Sequence, residues 1–148
     1  MRRSRIGTIV IVSLAALVVF GGLSADASGR TLRRDEVLRM INRTRVAHGL
    51  HRVDAQRFLT RSARRHSRDM AKKGYIFHTV SLATDLRRVS WTIAGENVGA
   101  GHDTRTLFRA FMRSAPHRHN ILRSSFHHVG VGLVRADGFL WATLIFYG

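Results

Sequence analysis

Apolar side chains recur every three or four positions through much of this chain, which is the spacing of helices that bury one face. The clearest example runs from Asp54 to Gly74, where arginine and lysine occupy the opposite face. Asp54 is the predicted N-cap of this helix, and Gly74 is its predicted C-terminal stop. The same spacing predicts helices over residues 35–48 and 103–113, and a short helical turn over residues 116–122.

The segment between the second and third predicted helices, residues 74–102, is irregular in pattern and contains several glycines. We expect one short strand at residues 93–98 and otherwise a long loop, and long loops of mixed composition are often functional. His66 lies on the apolar face of the preceding helix. It is expected to be a buried histidine with a hydrogen-bond partner rather than a ligand.

The end of the chain has the composition of β-strands. Residues 129–133 and 139–147 are rich in branched and aromatic side chains, and an Asp-Gly pair between them is a typical hairpin turn. Gly130 and Gly132 leave one face of the first strand almost bare, which indicates close packing of another backbone. Helices first and an antiparallel hairpin last predict an α+β fold.

The first residues form a separate unit. Three arginines precede an apolar run over residues 6–23 and a small-x-small site that ends at Ala27. This arrangement predicts a signal peptide over residues 1–27, followed by a linker over residues 28–34 and a domain over residues 35–148. The alternative is an uncleaved membrane anchor, in which residues 6–23 make the only membrane contact. Under both alternatives the domain is exported, either secreted or anchored outside the membrane.

Composition adds two constraints. The 148 residues include no cysteine and carry a formal net charge of +16. An exported domain without disulfides depends on its hydrophobic core, and the positive charge favours anionic envelope polymers or lipids as partners. An ordinary solvated surface in a proteome rich in arginine codons explains the same charge and is slightly preferred. Export and the lack of an aromatic-plus-basic motif argue against nucleic acid as a partner, and the sequence identifies no protein partner.

One acidic residue is the leading candidate for chemistry. Glu96 is the only acid over positions 86–102, with His78 before it and His117 after it. A carboxylate that the fold could bring to two imidazoles suits a metal site or an acid–base site. Asn97 beside it is expected to bond backbone groups rather than substrate.

Short segments of the chain, taken in order, resemble the CAP superfamily, also called the SCP domain. The likeness is greatest to its bacterial, cysteine-free branch and covers residues 36–148. The segments that carry it are residues 41–45, 49–50, 63–71, 77–78, 95–98, 114–122, 129–132 and 141–146. The resemblance implies an α-β-α sandwich, with a central antiparallel sheet between helical layers.

The resemblance also implies a cleft lined by two histidines and two glutamates, which in some members binds a divalent cation, often zinc. Carried over by position, the histidines are His78 and His117, and the first glutamate is Glu96. The second glutamate falls at Ser114, where bacterial members commonly have serine. His78, Glu96 and His117 would then be the metal ligands, with water completing the coordination of zinc. No organic cofactor is expected.

The alternative for these side chains is a polar cluster without metal, in which Glu96 accepts hydrogen bonds from both imidazoles. The candidates for catalysis are Glu96 and His117, with Ser114 as a group that bonds water or substrate. No nucleophile-elbow sequence supports acyl transfer.

Three functions remain as hypotheses. The first is an exported binding or interaction module of the bacterial envelope or extracellular space, in agreement with a family whose members mostly lack a settled enzymatic activity. The second is a metal-dependent hydrolase of peptide or cell-wall bonds. The third is a lipid or sterol carrier, an activity ascribed to some members, which requires an apolar groove beside residues 81–93. Whether the protein is an enzyme stays open, and the binding module is preferred.

Overall fold

The computed structural model of the protein describes the backbone of residues 8–10 and all of residues 34–148. In chain order, the described elements are β1 (Thr8–Val10), α1 (Arg34–Ala47), β2 (Asp54–Ala55), α2 (Arg57–Lys73), α3 (Leu82–Asp85), β3 (Ile93–Gly101), α4 (Thr104–Arg113), α5 (Ala115–Leu122), β4 (His128–Ala136) and β5 (Phe139–Tyr147). One sheet lies between α2 and α3 on one face and α1, α4 and α5 on the other. The predicted α+β class and α-β-α sandwich are confirmed.

The predicted signal peptide and linker lie outside the described residues, apart from β1 and Arg34. Cleavage after Ala27 therefore stays a prediction. In the part of the chain that the structure describes, no helix has the length and apolar character needed to cross a membrane.

The sheet has the strand order β1-β3-β5-β4-β2. Its three long strands are antiparallel, and β4 and β5 form the predicted hairpin. Asp137 and Gly138 between them have positive φ angles of 50° and 79°, the backbone of the two-residue turn that Asp-Gly favours. The short outer strands β1 and β2 run parallel to their neighbours. The sequence did not predict them, because two or three residues are too few to show a period.

On one face of the sheet, α2 packs directly against the backbone of β4. A Cβ atom at Gly130 would lie 2.5 Å from the carbonyl carbon of Leu59, and one at Gly132 would lie 2.2 Å from that of Ala63. The close approach predicted from the bare strand face is confirmed. The helix therefore sits at a distance from the sheet that only glycine permits.

The start of α2 differs from the prediction. The helix begins at Arg57 with Gln56 as its N-cap, so the predicted cap Asp54 is wrong. The backbone N–H of Asp54 donates to the carbonyl of His127 at 2.8 Å, and that of Gln56 donates to Val129 at 2.9 Å. Pairing with β4 thus holds the residues before the helix in an extended conformation.

The segment between α2 and α4 is more regular than predicted. It starts at Gly74, which ends α2 with a φ of 74° as expected, and it contains α3 and the nine residues of β3. Leu82 and Leu86 are only 2% and 0% exposed. The segment beside which the lipid-carrier hypothesis requires an apolar groove therefore packs these two leucines into the core.

The larger core lies on the opposite face, under α1, α4 and α5. It is built from side chains of these helices, from the inward positions of β4 and β5, and from the segment between α5 and β4. Its members include Val37, Ile41, Leu107, Phe111, Ile121, Phe126, Val131, Leu144 and Phe146. This core fixes α5 against the sheet, and α5 carries His117.

Candidate functional site

The candidate site lies at the outer edge of β3. β5 pairs with β3 over residues 94–101, whereas β1 pairs only with residues 93–95. Successive side chains of a strand point to opposite faces, so Glu96 lies on the α2 face and Asn97 on the α5 face. Past Gly95, the outer edge of β3 has no strand partner among the described residues, which lets groups from the two faces meet around it.

Glu96 is buried, and both of its carboxylate oxygens accept hydrogen bonds. Its side chain is 3% exposed. Oε2 accepts hydrogen bonds from Nδ1 of His78 at 2.8 Å and from the backbone N–H of Thr79 at 2.9 Å. Oε1 accepts a hydrogen bond from the hydroxyl of Thr79 at 2.5 Å. Both carboxylate oxygens therefore have partners on one short segment of chain.

That segment is anchored to α2 by His66. The ring Nε2 of His66 donates to the carbonyl of Phe77 at 2.7 Å, and the two rings meet edge to face at 4.8 Å. Lys73 places its ammonium group 4.4 Å from the centre of the Phe77 ring. The prediction of a buried, hydrogen-bonded histidine at position 66 is confirmed, and this histidine positions the residue before His78.

His117 lies in the first turn of α5, with its ring edge to face against Phe111 at 5.1 Å. Burial lowers the pKa of His117 below its ordinary value of 6.5, and the charge of His78 lowers it further. Two consequences follow. The imidazole of His117 is neutral at neutral pH, and the two imidazoles are close enough to interact electrostatically.

Two asparagine side chains tie β3 to α5. The side-chain amide of Asn97 donates to the carbonyl of His117 at 3.0 Å, as predicted for a residue that bonds backbone groups. The amide of Asn120 donates to the carbonyl of Glu96 at 3.2 Å and to the side-chain oxygen of Asn97 at 2.9 Å. These bonds fix the position of His117 relative to Glu96.

Ser114 is the N-cap residue of α5, but its hydroxyl makes no capping bond. The oxygen is buried and has no hydrogen-bond partner among the described residues. Ser114 and His117 are three positions apart in the first turn of this helix, so they lie on the same side of it. A buried hydroxyl without a partner is unusual in folded proteins.

Of the two histidines predicted to bond Glu96, one does so. His78 bonds the carboxylate, whereas the described side chains include no hydrogen bond between Glu96 and His117. Thr79 and Asn120 complete the cluster and were missed from the sequence. Thr79 could have been suspected because it directly follows His78, and Asn120 because it lies in a segment that carries the family resemblance.

The predicted metal ligands are His78, Glu96 and His117. Among the residues that the structure describes, no three His, Cys, Asp or Glu side chains are placed so that they could hold a metal ion. Glu96 uses both oxygens for His78 and Thr79. Zinc binding by His78, Glu96 and His117 stays a prediction.

Known proteins resemble this chain in sequence. Residues 38–146 match CAP, the cysteine-rich secretory protein family. The uncharacterized protein YkwD of Bacillus subtilis (strain 168) is 35% identical over 113 residues, which are 72% of this chain and 44% of that protein. The uncharacterized membrane protein YlbC of the same organism is 28% identical over 72% of this chain and 33% of its own length.

Solved structures agree with this match. An extracellular protein containing an SCP domain, from Bacillus anthracis str. Ames, has a TM-score of 0.70 at 27% identity, over 86% of this chain and 45% of that one. A cysteine-rich secretory protein from Staphylococcus aureus has a TM-score of 0.65 at 26% identity, over 76% of this chain and 37% of that one. The chain spans less than half the length of these four relatives. By the extent of the sequence match and by its fold, the chain belongs to the cysteine-rich secretory protein (CAP) family.

Proposed function

We propose that this protein is an exported module of the bacterial envelope or extracellular space, which binds a ligand at the cluster of His78, Glu96 and His117 and does not cleave it. The leader-like residues 1–27 support export. So does the B. anthracis neighbour, which is described as extracellular.

The observation that carries the proposal is the state of Glu96. A general base needs a lone pair within reach of the proton it abstracts. Three of the about four acceptor sites of Glu96 are taken by His78 and Thr79, and its side chain is only 3% exposed, so a substrate has little access to the site that is left. The carboxylate therefore orients the ring of His78 and holds residues 77–79 in place. Glu96 is therefore a positioning residue.

The groups left for a ligand are on α5. The imidazole of His117 is kept neutral by the lowered pKa, so it can both donate and accept a hydrogen bond. The hydroxyl of Ser114 is buried without a partner in the described part of the chain. A polar group of a ligand that reached Ser114 would supply the missing bond, so a ligand rich in hydroxyl or amide groups fits best.

A sedimentation assay tests binding and cleavage together. The full chain is mixed with purified peptidoglycan sacculi in 0.5 M salt, which screens surface charges, with and without added zinc. We expect saturable binding and no release of soluble fragments. Ser114→Ala and His117→Asn should each weaken binding by about fivefold, equivalent to the loss of one net hydrogen bond.

His119→Asn is the matched control, because His119 is an exposed histidine of the same helix. It should bind as the unmodified protein does. Fragments released only with zinc and an intact Glu96 would establish the hydrolase instead. Absence of binding, or binding that ignores both Ser114→Ala and His117→Asn, would refute the proposal.

A further inference from the structure

The outer face of α2 carries a straight row of positive charges. It consists of five exposed side chains, here called the cationic row: Arg57, Arg61, Arg64, Arg68 and Lys72. Their spacing of three or four residues returns to the same side of a helix at each step. The row faces solvent because the opposite side of α2 is the face packed on the sheet.

The row has a regular geometry. With a rise of about 1.5 Å per residue, its ends lie about 22 Å apart, and a positive charge recurs about every 5 to 6 Å. Four of the five members are arginines, whose planar groups bind phosphate through two parallel hydrogen bonds.

No acidic side chain of the described residues forms an ion pair with a member of the row. The nearby Arg65 is paired with Asp85 at 3.0 Å, but the ion pairs found in the described part of the chain include no member of the row. Asp69 is the only acid of α2. It lies about 100° around the helix from Arg68 and three positions before Lys72, where it neighbours one end of the row without an ion pair in the described residues.

This arrangement weakens the helix that carries it. Like charges three and four residues apart repel by about 0.2–0.5 kcal/mol per pair. The first turn of α2 contains no acid and begins with Arg57, against the preference of the helix dipole. None of the ion pairs in the described residues offsets this repulsion, whereas a bound chain of negative charges would.

We propose that the cationic row binds a linear phosphodiester polymer without bases, of the kind found in bacterial envelopes, along the axis of α2. The row lies on the outer helical layer, whereas the cluster of His78, Glu96 and His117 lies at the edge of β3. The proposal therefore describes a second surface and goes beyond the proposed ligand site.

A polymer fits this surface better than a membrane does. A helix that lies on a bilayer inserts its apolar face, but the apolar side chains Leu59, Ala63 and Met70 of α2 are fully buried against the sheet. The large apolar side chains exposed in the described residues are Val46, Tyr75 and Val80, and none of them belongs to α2. The cationic row is a narrow line of charge, which matches an extended polymer more closely than it matches a flat membrane surface.

Titration with poly(glycerol phosphate) tests the proposal. Binding of the full chain is measured by calorimetry in 50 mM and 300 mM salt, and affinity should fall steeply as salt rises. The triple variant Arg61→Gln, Arg64→Gln, Arg68→Gln should bind at least about tenfold more weakly. Glutamine keeps helix propensity, and circular dichroism verifies that the variant is folded.

The matched control removes the same charge from the opposite layer. Arg39→Gln, Arg43→Gln and Arg118→Gln change three exposed arginines of α1 and α5, and affinity should stay within about twofold. Equal losses in both triple variants would mean that net charge alone acts. Tighter binding to phosphatidylglycerol vesicles or to single-stranded DNA would assign the row to another partner. Absence of binding to the polymer would overturn the proposal as well.

Discussion

Arg45 is a buried cation whose side chain bonds backbone carbonyl groups. It is 0% exposed and faces four carbonyl oxygens. Nε donates to His51 at 2.8 Å, Nη1 to Ile121 and Arg123 at 2.9 Å, and Nη2 to Phe126 at 2.9 Å. Carbonyls at the C-terminal end of α5 carry the negative end of the helix dipole. These carbonyls take the place of a counter-ion for Arg45. Burial nevertheless lowers the pKa of its guanidinium group.

Replacing Arg45 by lysine should destabilise the fold severely. A lysine keeps the charge but cannot direct donors to four carbonyls at once. We expect Arg45→Lys to lose about 3 kcal/mol of unfolding free energy in urea titration, the scale of a buried charge deprived of partners. Arg43→Lys, on the exposed side of the same helix, is the control and should change little. Equal stability of the two variants would show that the carbonyl contacts contribute nothing.

At the scale of elements, the contact between α2 and β4 depends on the absence of side chains. Gly132→Ala would place a Cβ atom 2.2 Å from the backbone of Ala63, so the helix or the strand must move. We expect a loss of about 3 kcal/mol or more, or no soluble folded protein. Thermal unfolding of Gly132→Ala measures this loss of stability.

Gly101→Ala provides the comparison for Gly132→Ala. Its added Cβ atom would meet Leu107 no closer than 3.4 Å, which is close to ordinary contact, and no left-handed backbone is involved. Its melting temperature should stay near that of the unmodified protein. Similar losses in both variants would contradict the account of helix–sheet contact.

The elements that the sequence predicted are those with a long, clear period. α1, α2, α4 and the hairpin of β4 and β5 appear close to their predicted positions. β3 was predicted too short, because its glycines, Glu96 and Asn97 give no alternating pattern. α2 starts late because the backbone of Asp54 pairs with another strand, and no local signal reports such a pairing.

The site was predicted in part. The resemblance pointed to His78 and Glu96, which are in contact, and to His117, whose pKa is lowered by His78. Thr79 was not foreseen. Its bonds to Glu96 depend on how residues 77–79 fold back over β3, and this is decided by tertiary packing rather than by local pattern.

At the scale of the whole molecule, His117 makes stability depend on pH. In the unfolded chain it takes up a proton near its ordinary pKa of 6.5, whereas the folded protein holds the pKa lower. The unfolded state therefore binds more protons between these two values. The free energy of unfolding consequently falls as the pH drops below about 6.5.

Urea titrations at about pH 7 and about pH 5 measure this contribution. His117→Gln should lose less stability between the two pH values than the unmodified protein does. His119→Gln, which alters an exposed histidine of the same helix, should keep the original pH dependence. An unchanged dependence in His117→Gln would assign the acid sensitivity to other groups.

If residues 1–27 are removed as a signal peptide, the parallel pairing of β1 with β3 is lost with them. β1 belongs to the stretch predicted to be removed as a signal peptide, and its register sets Thr8 against Ile93 and Val10 against Gly95. A processed chain would be one strand narrower, and it would offer the backbone groups of these positions to water or to a neighbouring polypeptide. Proteolytic removal of β1 would thus expose an unpaired strand edge immediately before Glu96, with which another strand could pair.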